Sequence, residues 1–545
     1  MFLPKKNKYL FLPIFAVVFF GVIALIFSLK GISRPGKNRG NPSGIRKNSL
    51  FIGLGADATN LIGNLAEDEP TAEVTSQIYD GLVRYNRNLK IVPDLARSWK
   101  ISKDGRTITF YLRHNVYWQN GRHKFTAKDV LFTYRLMVNP KTPTAYASPY
   151  LKVLKAKTIG KYIFQVTYKK TYAPALSSWG LSILPEFLLK GKNLITTKIR
   201  SHPIGTGPYT FYKWVHGYEI ILKANRSYFM GPPHIKWLIY KIVPDSSSMF
   251  LMLKSNGIGY MGLTPLQYRY ETTDKIFNRN FRKYIHPSLG FTFLGYNLLN
   301  PLFKSVRVRQ ALSYAINKKE IIKGALLGLG IPCYGPFMPG TYFYDKNVRK
   351  FDYNPKKALV LLNGKGWHIG AGGHLTKNGV RFEFTILTPQ GNAERLEASE
   401  IIQQNLKKIG IKVNIRVMEW TSLISEFIMK KRFDAVLLGF TITPEPYDNA
   451  AIFSSRDIVP KGLNFTSFRN NEIDRLFKEA RSTFELKKQR IYYFKIQKIL
   501  AEQEPYTFLY IPYSMPVVKS GIKGVVPAPA GIGYNIRKWY YAAFR

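Results

Sequence analysis

The chain has 545 residues, too many for one ordinary hydrophobic core, so two or three lobes are expected. Hydrophobic residues make up 46% of it and charged residues 21%, the balance of a globular protein rather than of a multi-span transporter. Its 81 Lys and Arg stand against 33 Asp and Glu, a net charge of +48, and its single cysteine, Cys333, excludes an internal disulfide and a cysteine-based metal cluster.

The first element is a charge-free run. Lys5, Lys6 and Lys8 precede Tyr9 to Leu29, 21 residues without a formal charge, and Lys30 and the stretch SRPGKNRGNPSG come next. At about 1.5 Å per residue such a helix is about 31 Å long, enough to cross a hydrocarbon core and longer than the apolar part of a signal peptide. No Ala-x-Ala cleavage site and no cysteine for lipidation accompany it. Residues 1–48 are therefore expected to be an uncleaved N-terminal transmembrane helix, a signal anchor, with its linker.

SLFIGLGADATN (Ser49 to Asn60) offers a short apolar strand. Its Gly53-x-Gly55-x-x-Ala58 imitates a dinucleotide-binding loop, but no amphipathic helix with a parallel strand comes after it, so the match is read as chance. A helix is expected around Ala72 to Tyr79. SWKISKDGRTITFYLRHNVYWQNG (Ser98 to Gly121) reads as three short strands punctuated by Asp104-Gly105 and Asn120-Gly121. Ile108, Phe110 and Leu112 alternate with Thr107, Thr109 and Tyr111, the period of a half-buried antiparallel strand. Thr126 stands three residues before Asp129, the spacing of a capping box, and Asn139-Pro140 ends the helix it opens. Lys155 to Tyr168 is strand-rich, and SHPIGTGPYTFYKW (Ser201 to Trp214) is a turn leading into a strand.

From Val306 the texture becomes α/β. VRVRQALSYAINKKEIIKGAL reads as helical, and YNPKKALVLLNGKGW as a helix begun at its proline and stopped at Gly364. The strand Val380 to Leu387, the helix Ala393 to Ile409 closed by Gly410, and the alternating strand Ile411 to Val417 make a right-handed βαβ unit. FDAVLLGF (Phe433 to Phe440) is the continuously apolar strand of a buried parallel sheet, and strands return near Tyr506 to Pro512.

Catalytic and metal signatures are missing from this sequence. Gly-x-Ser-x-Gly, His-Glu-x-x-His and a P-loop are absent, and none of the eight histidines forms an i, i+4 pair. His368 and His374 in GWHIGAGGHL read as a surface loop rather than a metal site. Neither an enzyme, a metal nor another cofactor is expected. Cys333 reads as a small buried apolar residue. The basic residues are spread from end to end without a zinc-finger or RNP pattern, so nucleic acid is not an expected partner; an evenly basic surface suits an anionic membrane or wall, or anionic ligands.

PDLARSWKISKDGRTITFYLRHNVYWQNGRHKFTAKDVLFTYR (Pro93 to Arg135) resembles the signature of the extracellular solute-binding proteins of family 5, which holds the oligopeptide- and dipeptide-binding components of ABC importers. The resemblance begins upstream in IYDGLVRYN (Ile78 to Asn86) and continues, in order, in PIGTGPY (Pro203 to Tyr209), FLGYNLLNPLFKSVRVRQALSYAINKKEII (Phe293 to Ile322), YNPKKALVLLNGKGW (Tyr353 to Trp367), GIKVNIRVMEW (Gly410 to Trp420), PEPYDNAAIFSS (Pro444 to Ser455) and LNFTSFRNNEIDRLFKEAR (Leu463 to Arg481). It implies an α/β, two-lobed periplasmic-binding-protein (Venus-flytrap) fold with an extra β-rich subdomain. Lobe I would comprise residues 49–84, 201–289 and 505–545, the extra subdomain residues 85–200, and lobe II residues 290–504.

The function implied is the substrate-binding component of an ABC importer, a monomer that closes two lobes on a peptide and delivers it to permease subunits. Tethered by its N-terminal helix to the inner (cytoplasmic) membrane, it would face the periplasm or the extracellular side of the cell envelope. Non-peptide solutes of the same family (sugars, haem, glutathione, nickel chelates) are the alternative, and a hydrolase on a similar scaffold is a further one.

Peptide binders of this family often hold the ligand's α-amino group with an acid near the equivalent of GFTITPEPYDN, where Thr443 occupies one place for that acid and Glu445 and Asp448 are the acids nearby. Pro444 and Pro446 fix the backbone on either side of Glu445, after the FDAVLLGF strand. The candidate ligand-binding residues are Glu445, Tyr447, Asp448, Phe440 and Trp420.

Overall fold

The strands among the described residues gather into three large sheets and three small ones of two or three strands. The protein, seen here as a computed structural model, is described over residues 48–542 except 66, 67, 145, 443, 444, 460 and 461. The expected transmembrane helix, Tyr9 to Leu29, lies outside the described residues, and among the described residues no helix is long and apolar enough to cross a membrane.

The first sheet has seven strands in the order Phe281–Lys283, Pro516–Lys519, Tyr260–Gly262, Ser49–Leu54, Trp237–Ile242, Glu219–Ala224 and Tyr209–Val215. Ser49–Leu54 lies at its centre, parallel to Trp237–Ile242 and Tyr260–Gly262. No helix starts at Gly55, as a dinucleotide loop would require; the next α-helix is Glu69–Thr75, shorter than the expected Ala72 to Tyr79 and capped by Asp68.

The second sheet also has seven strands, in the order His286–Pro287, Tyr506–Ser514, Gly290–Tyr296, Ala435–Thr441, Glu383–Pro389 and Lys412–Met418, with Gly330–Pro332 added beside Tyr506–Ser514. Glu383–Pro389 runs parallel to Lys412–Met418 and to Ala435–Thr441, with the helix Ala393–Lys407 as the crossover. This is the βαβ unit read from the sequence, its first strand beginning three residues later because Val380–Arg381 joins a small separate hairpin. Gly290–Tyr296 is buried at every position, between Ala435–Thr441 and Tyr506–Ser514. Apolar side chains cover both faces of this sheet, so it has two cores.

The expected helix from Val306 is two helices, Val306–Ala315 and Lys318–Gly324, because Asn317 caps the second through the Glu320 amide and breaks the first. His368 and His374 lie in or beside the small meander of residues 368–381, and no group of three His, Cys, Asp or Glu side chains able to hold a metal occurs among the described residues. Cys333 is buried, its thiol bonded to the Gly335 carbonyl at 3.0 Å and pushed up to about 11 by burial.

The third sheet is four antiparallel strands, Ala96–Ile101, Thr107–Leu112, Ile163–Tyr168 and Val153–Ile159, in that order. Ile108, Phe110 and Leu112 face its core, as their alternation requires, and Gly105 turns the hairpin with φ 66°, where a side chain would be strained. The third expected strand is reduced to one bridge, Tyr117 to Lys124, around the Asn120-Gly121 turn. The helix Ala127–Val138 packs on this sheet behind its capping box.

Two neighbouring segments pass between the first and second sheets. One leads from Phe281–Lys283 through His286–Pro287 to Gly290–Tyr296; the other leads from Tyr506–Ser514 into Pro516–Lys519. YTFLYIPYS pairs with Gly290–Tyr296 as a mostly buried strand of the second sheet, so this crossing falls between Ser514 and Pro516. Hydrogen bonds tie the two segments together, from the Tyr284 amide to the Pro516 carbonyl at 2.8 Å and from the Ser288 amide to the Pro512 carbonyl at 2.9 Å.

Candidate functional site

Three short motifs are tied into one knot around Gln119. The Gln119 side-chain amide donates to the carbonyls of Ile78, Gly207 and Tyr209 at 3.2, 3.1 and 2.8 Å, and its oxygen accepts from the Gly205 amide at 2.9 Å. A Cβ at Gly205 would fall 1.9 Å from the Ile78 carbonyl oxygen, so only glycine fits there. WQNG, IYDGLVRYN and PIGTGPY are thereby one piece of structure. It holds Asp80, Arg84 and Tyr85 at the wall of a cavity.

That cavity has a volume of about 1790 Å³ and is walled on one side by this knot and by Tyr228 and Arg537. Its other side is the end of the strand Ala435–Thr441 together with Ile442, Glu445 and Tyr447. Phe440 stacks on Phe293 with ring centres 5.1 Å apart, so the aromatic core of the second sheet fixes its ring. Tyr85 donates its hydroxyl to a Glu445 carboxylate oxygen at 2.9 Å, and the hydroxyls of Ser177 and Tyr447 bond at 2.7 Å. Both bonds cross from one wall to the other.

The wall facing Glu445 carries two buried carboxyls. Asp80 accepts from Thr206 at 2.8 Å and from Tyr228 at 2.9 Å; burial pushes its carboxyl up to about 6, against the pull of those hydrogen bonds and of the Arg84 and Arg537 charges. Asp94 is pushed well above the usual carboxylate range, by burial first and then by the Asp80 charge. Among the described residues its Oδ1 accepts no hydrogen bond, and it lies 3.8 Å from Arg84 Nε. Arg537 donates to the Met230 carbonyl at 2.7 Å and covers the Tyr228 ring.

A smaller cavity of about 360 Å³ shares Phe440 and Thr441 with the larger one and is lined by Arg395, Glu69 and His286. Desolvation lowers the pKa of the Arg395 guanidinium.

Of the five residues proposed from sequence, Glu445, Tyr447 and Phe440 line the large cavity, whereas Trp420 is 54% exposed at the start of a short helix and does not line it. Asp448 ends the short helix Pro446–Asp448, and its side chain, like the whole of Thr443, lies outside the described residues. Sequence reasoning missed Asp80, Arg84, Tyr85, Asp94 and Arg537. The motif IYDGLVRYN was the available signal for three of them, since an acid, an arginine and a tyrosine in a glycine turn suit a binding wall as well as a packing element.

Geometry and comparison agree. The family model described as "Bacterial extracellular solute-binding proteins, family 5 Middle" matches residues 90–458. The oligopeptide-binding protein AppA of Bacillus subtilis (strain 168) is 32% identical over 552 residues, covering 99% of each chain. The solved structure of AppA from Bacillus subtilis in complex with a nonapeptide superposes with a TM-score of 0.77 at 30% identity, covering 91% of this chain and 99% of that one. NikZ from Campylobacter jejuni in complex with Ni(L-His) superposes with a TM-score of 0.80 at 28% identity, covering 91% and 100%. The chain belongs to the bacterial extracellular solute-binding proteins, family 5.

Proposed function

We propose that this protein captures peptides in the cavity between its two large sheets and delivers them to the permease subunits of an ABC importer, acting by binding and not by chemistry. The observation that carries this reading is the size and two-sided wall of the cavity. At about 1790 Å³ it exceeds the roughly 300–1,000 Å³ of small-molecule sites. The similarity to AppA, solved with a nonapeptide, supports it. Lobe I and its β-rich subdomain form one wall, and lobe II, from about residue 290, forms the other. The charge-free run Tyr9 to Leu29 tethers the chain to the cytoplasmic membrane, with the bulk on its outer side.

Glu445 receives the peptide's α-ammonium, for which Tyr85 already presents a hydrogen-bonded partner at the carboxylate. Arg395, a half-buried cation with no ion pair or side-chain hydrogen bond among the described residues, receives a carboxylate in the adjoining cavity. A buried ammonium is costly to desolvate unless paired, which is why a carboxylate belongs in such a wall.

Calorimetry with free and N-acetylated peptides tests this. Glu445→Gln weakens free peptides by about 2–5 kcal/mol and leaves acetylated peptides unchanged. Equal affinity of the two proteins for free peptides rules out the Glu445 assignment, and no heat with any peptide rules out the ligand class.

A further inference from the structure

The four-stranded third sheet gives one face to its core and the other to solvent. On the solvent face Thr107, Thr109 and Tyr111 sit beside Ile163, Gln165 and Thr167, all half-buried, and the exposed positions lie on the two edge strands. Lys100 is opposite Thr109, Thr109 opposite Gln165, and Gln165 opposite Lys157. One row therefore crosses all four strands with a cation at each end, roughly 14 Å apart at about 4.8 Å per strand. Gln165 donates to the Thr109 hydroxyl at 3.1 Å, which keeps the middle of the row polar and flat. Lys155 ends the next row, opposite Thr167.

Little negative charge offsets these lysines. Residues 85–200 hold 22 Lys and Arg against 4 Asp and Glu. Of the four acids, Asp94 and Asp129 are buried, Asp104 is bonded to Ser102 and the Arg106 amide, and Glu186 faces Lys190. Lys100, Lys155, Lys157 and Lys161 form no ion pair among the described residues. The edge strand adds apolar groups to the charge. A register shift between Val153 and Lys155 bulges Leu154 out of the ladder, and Leu151, Leu154 and Ile159 are 57%, 59% and 43% exposed.

We propose that this face docks on an anionic phospholipid surface. A flat array of cations spaced across four strands matches a plane of repeated phosphate charge better than a single small anion. Exposed leucine and isoleucine between lysines fit a bilayer interface, where apolar groups reach the acyl boundary and ammonium groups stay with the phosphates. A polyphosphate or nucleic acid strand would leave Leu154 and Ile159 in water. Lysines and a bulge on an edge strand also discourage strand pairing, a role that needs no membrane, and the experiment must separate the two.

The full chain, mixed with vesicles of phosphatidylcholine alone or with added phosphatidylglycerol, is labelled with an amine-specific reagent and its lysines are quantified by mass spectrometry. Lys100, Lys155 and Lys157 label about fivefold more slowly on the anionic vesicles, and high salt abolishes the difference. The exposed Lys346, Lys407 and Lys487 label equally on both. In K100E/K155E/K157E the neighbouring Lys103 and Lys161 lose their protection, whereas reversing Lys346, Lys407 and Lys487 leaves it intact; K157E alone serves if the triple variant does not fold. Equal labelling on the two vesicle types overturns the proposal. So does protection spread evenly over the control lysines, or protection by free polyphosphate without any by vesicles.

Discussion

Asp80 holds its carboxyl between the Thr206 and Tyr228 hydroxyls, mostly buried at the cavity wall, and burial raises its pKa from 3.8 to about 6. The folded carboxyl keeps its proton more tightly than the unfolded one. The stability it contributes is therefore full below about pH 4 and is lost as the pH rises through about 6. Asp80→Asn, neutral throughout, should show a flatter change of unfolding free energy across that window, by on the order of 2–3 kcal/mol. Thermal melts of both proteins at a series of pH values check this, and parallel curves would contradict it. Glu445 is the opposite kind of residue for a reader of sequence. Its position after the FDAVLLGF strand could be foreseen, but Tyr85, which bonds to it, is 360 residues away and no local pattern joins them.

Among the elements, those whose ends carry their own chemistry were the most legible. Thr126 accepts from the Lys128 amide at 3.3 Å while Asp129 accepts from the Thr126 amide at 2.9 Å, as the spacing foretold. Thr126→Ala should cost about 0.5–2 kcal/mol in denaturant unfolding, with the larger loss expected because Asp129 also accepts from the Glu186 amide at 3.2 Å and so ties the helix start to a second segment. Gly105 and the alternation of Thr107–Leu112 were equally readable, because turn and period are local. The break between Val306–Ala315 and Lys318–Gly324 was not, since an apolar stripe runs through both helices and only Asn317 interrupts it. Buried Arg309 was also out of reach: it donates to carbonyls of Phe303, Lys304, Gln503 and Glu504, binding this helix to the end of Leu486–Gln503. The three-motif knot around Gln119 could be noticed as separate motifs but not assembled, because its bonds span gaps that sequence spacing does not encode.

At the scale of the whole molecule, two walls meet across a cavity and two chain segments join them, so ligand capture by hinge bending is expected. Small-angle scattering should give a smaller radius of gyration at saturation with a peptide verified by calorimetry, and an unchanged value would contradict closure. The joining segments have a consequence of their own. Hydrogen-bonded side by side through Tyr284 with Pro516 and Ser288 with Pro512, they form a strap that flexes across its thin direction and resists sliding along its length. A strap of this kind permits one swing and returns the walls to one alignment. Ligands of different length are then expected to bring the walls to the same separation, and scattering curves that differ between a short and a long bound peptide would contradict this.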